Sequence, residues 1–145
     1  MVLRNFIAAL CLGLGLLATA ASAAPLEEHV RVLPLLDSNK TVVDQPLVYP
    51  SDGTAKVQSV IVTMQPGEQT GSHKHPYPTY GYMLEGELTV EYADGETRVY
   101  KQGDAFLEAV DISHNGKNTG TVQMRILVVF MGIDGEVNSR MDKQQ

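Results

Sequence analysis

Residues 67–86 read GEQTGSHKHPYPTYGYMLEG, and residues 103–118 read GDAFLEAVDISHNGKN. Between them they hold His73, His75 and His114, three of the four histidines in the 145-residue chain. His73 and His75 are two residues apart in a segment without helical periodicity. On extended backbone that spacing sends both imidazoles to one face. His114 follows after what reads as a hairpin, so neighbouring strands of one sheet can bring the three rings together around a metal ion.

Working outward from these stretches, short β-type runs alternate with turn signals, and no helix-length amphipathic segment follows residue 23. Strands are expected over residues 41–49, at an edge because of Pro46, and over 57–65, which ends at the turn pair Pro66-Gly67. Further strands are expected over 80–84 and 88–92, and Ala93-Asp94-Gly95 then turns the chain into another over 96–100. A short run follows Gly103-Asp104 as far as Glu108, residues 115–120 read as loop, and 121–131 is the most apolar strand. The polar stretch 132–145 shows no periodicity. Short strands at regular intervals predict an all-β sandwich or small barrel. Met64, Met83 and Met124 read as filling for its interior.

Residues 1–23 have the layout of a secretory signal peptide: Arg4, an apolar run over 6–17, and Ala21-Ser22-Ala23 at the cleavage positions. The run is short for a bilayer span, and Leu10 before Cys11 does not suit a lipoprotein. The expected organisation is a leader over 1–23 and a single domain over 24–145, located in the periplasm or secreted. That domain contains no cysteine and no tryptophan, so its stability rests on its core and not on disulfides. The chain carries a formal charge of −6 and has no basic run, which argues against nucleic acid and, once the leader is removed, against membrane surfaces.

With the strands laid out, the two stretches resemble the paired motifs of the cupin superfamily. The first motif is similar to G-x5-H-x-H-x3,4-E-x6-G, with Gly67, His73, His75 and Gly86 in register. The second is similar to G-x5-P-x-G-x2-H-x3-N, with Gly103, His114 and Asn118 in register. The resemblance implies a double-stranded β-helix, a jelly-roll barrel with its pocket inside, and commonly a homodimer. For that dimer, residues 31–49 offer a possible exchanged or edge strand. It also implies His73, His75 and His114 as ligands of one divalent transition metal (Fe, Mn, Zn, Cu or Ni). A metal-free alternative has the imidazoles hydrogen-bonding a ligand directly.

The departures from the motifs bear on the chemistry. The family's glutamate ligand falls on Thr79, or on Tyr80 with the longer spacing. Its proline and glycine fall on Ala109 and Asp111, and Asp111 reads as a turn residue. Three neutral imidazoles without that carboxylate resemble a three-histidine zinc site, although three-histidine cupins with iron are also known.

Glu108 is the candidate replacement carboxylate. Strand alternation puts it on the face of Phe106, where it would serve as fourth ligand or as general acid/base. The alternative has it at the rim, facing solvent or Lys117. Tyr77, in its Pro-Tyr-Pro loop, is the tyrosine best placed to line the pocket mouth, and Tyr82 reads as an ordinary strand residue. Asn118 is expected to fix its loop or orient His114, and His29 reads as surface.

These readings converge on an exported mononuclear-metal enzyme acting on a small organic molecule by oxygenase, isomerase or lyase chemistry. A non-catalytic cupin that captures a small ligand or metal is the alternative, and a storage role is the third. The fold alone does not choose among them.

Overall fold

Nine strands pair into two antiparallel sheets in the computed structural model, which describes residues 31–143. The expected leader and His29 lie outside the described residues. The strands are β1 (Ala55–Met64), β2 (His73–Lys74), β3 (Thr79–Glu85), β4 (Glu87–Tyr92), β5 (Thr97–Lys101), β6 (Ala105–Leu107), β7 (His114–Lys117), β8 (Met124–Ile133) and β9 (Arg140–Met141). One sheet runs β1-β8-β3-β6 and the other β5-β4-β7-β2-β9. No described helix is long and apolar enough to cross a membrane.

The period-2 alternation of side chains explains the interior. Met124, Ile126, Val128 and Phe130 of β8 face inward, against Val62 and Met64 of β1 and Thr79 and Gly81 of β3. Leu88 and Val90 of β4 close the space from the other sheet. Met83 and Met124 have no exposed surface, as their role in the barrel interior requires. Tyr100 and Phe106 stack with ring centroids 3.8 Å apart at one end of this core.

Two turns show how the sequence sets the path. The β4–β5 hairpin closes through Tyr92 N–H to Glu96 O at 2.9 Å, with Gly95 at φ 89°. Gly86 joins β3 to β4 at φ 77°, and a Cβ there would lie 2.7 Å from the Cα of Met124. Only glycine satisfies both demands.

Three expectations are corrected. Residues 41–49 form a tight turn and not a strand: Thr41 N–H donates to Gln45 O at 2.9 Å, Asp44 sits at φ 61°, and the pairing there is the single bridge Lys40↔Pro46. Pro46 has no N–H with which to continue a ladder. Residues 115–117, read as loop, belong to β7, because β4 pairs with them from Thr89↔Lys117 to Tyr92↔His114. The stretch beyond residue 132 is not featureless, since β8 runs on to Ile133 and β9 pairs with β2.

Candidate metal centre

The three histidines come from two short neighbouring strands and the residue that follows the first of them. β2 pairs with β7 at His73↔His114, and His75 bridges to Val110 just beyond β2. The ring centroids stand 4.6 to 5.1 Å apart. His75 and His114 are buried and His73 is half-buried.

Each ring is held by its Nδ1. His73 Nδ1 donates to the Gly71 carbonyl oxygen and His114 Nδ1 to the Ile112 carbonyl oxygen, both at 2.9 Å. His75 Nδ1 donates to the Asn138 carbonyl oxygen at 2.9 Å and lies 3.0 Å from Ser139 Oγ. With Nδ1 protonated in all three, the ligating lone pair is on Nε2.

One ligand atom from each histidine lies within 4.8 Å of the other two. Nitrogens held at about 2.0–2.1 Å by a tetrahedral zinc ion stand about 3.3 Å apart. The rings therefore fit a divalent transition metal after a modest inward rotation. Their electrostatics suit it as well. Burial lowers the pKa of His75 to about 4, outweighing the opposing hydrogen bond to Asn138, and burial lowers that of His73 too. Both rings stay neutral at ordinary pH, the state that a metal requires.

Glu108 faces inward and is 6% exposed, which excludes the rim position. Its Oε1 accepts hydrogen bonds from Tyr92 Oη and from the Ala109 N–H, each at 2.7 Å. Its Oε2 lies 3.8 Å from His114 Nε2. The Glu108 N–H donates to the Thr79 carbonyl oxygen at 2.8 Å, so the carboxylate stands directly across the ladder from Thr79. Thr79, where the family motif has its glutamate, also faces the cavity, and its hydroxyl donates to the Tyr77 carbonyl at 3.1 Å. The barrel thus presents a carboxylate from the residue just after β6 instead of from β3.

The other singled-out residues lie elsewhere. The Tyr77 ring packs over Gly132 and is not among the residues that line the cavity. Tyr80 and Tyr82 are on the opposite face of β3 from Thr79 and Gly81. Asp111 is exposed at φ 55°, 3.9 Å from Lys74. Asn118, fully buried, fixes its loop through Nδ2 to Met64 O at 2.9 Å and Val122 O at 2.8 Å, while His114 is oriented by Ile112.

Sequence reasoning missed Tyr92 and the groups at 138–142. Tyr92 supports Glu108 from the end of β4, its phenol 3.5 Å from that of Tyr100. Burial first, and then the neighbouring Glu108, raise the Tyr92 pKa, and burial pushes Tyr100 up to about 12. Both phenols therefore remain hydrogen-bond donors.

The cavity holds about 170 Å³. Beyond the three histidines and Glu108 its walls are mainly apolar, with Val62, Phe106, Ile126 and Phe130 contributing, and among the described residues no lysine or arginine lines it.

A two-sheet β-barrel whose interior gathers three imidazoles and one carboxylate is a double-stranded β-helix with a metal-competent centre. Comparison with known proteins agrees: the Cupin domain family model matches residues 60–130. Residues 60–130 therefore carry a cupin domain. It is 32% identical over 68 residues to the polyketide synthase CurC of Streptomyces cyaneus, covering 46% of this chain and 44% of that protein. The chain therefore spans less than half the length of that curated relative. The DMSP lyase DddQ of Ruegeria pomeroyi superposes with a TM-score of 0.52 at 23% identity, covering 63% of this chain and 44% of that one. An uncharacterized double-stranded β-helix protein of Klebsiella pneumoniae gives a TM-score of 0.52 at 20% identity, covering 74% of this chain and 100% of that one. At those identities the two structures speak to the fold alone.

Proposed function

We propose that this protein is an exported mononuclear-metal enzyme acting on a small organic molecule. His73, His75 and His114 would hold one divalent transition metal, and Glu108 would handle protons beside it. The observation that carries this reading is the convergence of three Nδ1-anchored imidazoles with a buried carboxylate in one mainly apolar cavity. Bound there, the metal would supply Lewis-acid polarisation of the substrate.

The chain's own residues divide the remaining work. Tyr92 and the Ala109 N–H tie down Oε1 of Glu108, leaving Oε2 free toward the histidines to take or return a proton. The apolar walls would hold the body of the substrate. Among the described residues no lysine or arginine is there to meet an anionic group. The chemistry that fits is one metal-binding group on a small apolar body. The DMSP lyase among the structural neighbours shows that the fold can house lyase chemistry. Export rests on the leader-like layout of residues 1–23.

The same chemistry admits non-catalytic capture of such a ligand, a reading favoured by the predominance of apolar lining. Elemental mass spectrometry of protein from its native compartment tests the main reading, and about one transition metal per chain is expected. His75→Ala is expected to abolish both the metal and any turnover. Turnover retained in that variant would sink the enzyme reading, whereas a ligand released chemically unchanged would favour capture.

A homodimer forms part of this proposal. Val57 and Ile61 are exposed on the outer face of the four-stranded sheet, opposite Met131 and Leu127 in register and beside Tyr80 and Tyr82. That apolar face suits a second copy, and sedimentation of Ile61→Lys against the natural protein tests it.

A further inference from the structure

A segment far from the motifs touches the support of all three histidines. The Asp142 carboxylate spans two strands: its Oδ2 accepts from Ser72 Oγ at 2.6 Å and its Oδ1 from Ser113 Oγ at 2.9 Å. Ser72 immediately precedes His73 and Ser113 immediately precedes His114. The Asp142 N–H also donates to the Ser72 carbonyl at 3.0 Å. The third histidine is reached from the same segment, through the Asn138 carbonyl and Ser139 Oγ on His75 Nδ1. Between these contacts β9 pairs with β2 at His73↔Met141 and Lys74↔Arg140. The segment is itself tethered to the opposite sheet by Asn138 Nδ2 donating to Gln58 Oε1 at 2.7 Å.

We propose that residues 138–142 are a positioning strap for the histidine centre, with Asp142 as its principal positioning residue. The proposal rests on the reading of His73, His75 and His114 as metal ligands. Asp142 fixes the spacing of the two strands that carry His73 and His114, and residues 138 and 139 fix the tautomer and tilt of His75. Groups that orient ligand imidazoles commonly account for about 10- to 100-fold in metal affinity. Coupling of this kind is reciprocal, so a bound metal must in turn hold the strap in place.

The test titrates purified protein with zinc against a chromophoric chelator at pH 7.5, comparing natural protein, Asp142→Asn and Asp142→Ala. Asp134→Ala serves as the control, because Asp134 pairs with Lys56 on the surface away from the histidines. Asp142→Ala is expected to weaken zinc binding about 10- to 100-fold, with Asp142→Asn intermediate because it keeps one acceptor. Asp134→Ala should bind as the natural protein does. The ligand-field spectrum of the cobalt(II) form should change in Asp142→Ala, and the urea midpoint of the metal-free form should not. A merely structural role would move the midpoint and leave the spectrum alone. Zinc should also slow hydrogen exchange at the Asp142 amide. Equal zinc affinity in Asp142→Ala and natural protein would overturn the strap while leaving the three-histidine centre standing. Failure of the natural protein to bind zinc or cobalt(II) would overturn both.

Discussion

The two sheets of the barrel are built on opposite principles. In the four-stranded sheet β1 and β8 pair without interruption over ten positions, from Ala55↔Ile133 to Met64↔Met124. In the other sheet β2 is two residues long and meets β7 at a single pair, His73↔His114. The long ladder supplies a smooth apolar wall, and the broken strands supply the imidazoles. A regular strand sends its carbonyls to its neighbours, and none is left to turn back onto a side chain. The bends before His73 and His114 free the Gly71 and Ile112 carbonyls to grip their rings, with Gly71 at φ 76°. Irregularity in this sheet is how the imidazoles are oriented.

That division can be broken from the wall side first. Met124→Ala removes a side chain with no exposed surface and is expected to cost about 2–5 kcal/mol by urea unfolding. Metal stoichiometry should stay near one per chain. Loss of metal in a folded Met124→Ala protein would mean that wall and centre are not separable.

Acid should find the histidine sheet next. The folded protein keeps His75 neutral down to about pH 4, whereas the unfolded chain takes up that proton near pH 6.5. With a depressed folded-state pKa, the unfolded state binds more protons between those values, so stability of the metal-free protein falls as pH drops from 6.5 through 4. His73 acts in the same direction. Urea midpoints between pH 7.5 and 4 check this, and His75→Asn should flatten the slope.

The mildest change expected is Tyr92→Phe, which deprives Glu108 Oε1 of one of its two donors and should cost about 1–3 kcal/mol. Differential scanning calorimetry would detect it. An unchanged midpoint would show that the Ala109 N–H alone suffices.

What could be read in the sequence follows from which contacts are local. His73 and His75 declare their common face by spacing, Asp94-Gly95 declares the hairpin, and Glu108 declares itself by alternation with Phe106. Tyr77 misled because proline-flanked aromatics look exposed at a mouth, yet its ring lies against Gly132. Tyr92 gave no local sign that its phenol meets a carboxylate 16 residues on. β7 was hidden by Asn115-Gly116-Lys117, turn-favouring residues held extended by their pairing with β4. Asn138, Ser139 and Asp142 act through a backbone carbonyl and short polar side chains over separations of up to 70 residues, which no periodicity records.

Those separations also set an order of events. Polypeptides are made from the N-terminal end, so His75 exists as an unoriented imidazole long before the residues that orient it have been added. Asn138 follows His75 by 63 positions, and Asp142 follows Ser72 by 70. An emerging chain can present nitrogen ligands to any passing ion without yet being able to choose among them. On the proposed reading of the three imidazoles as ligands, discrimination among metals would wait until residues 138–142 join β2.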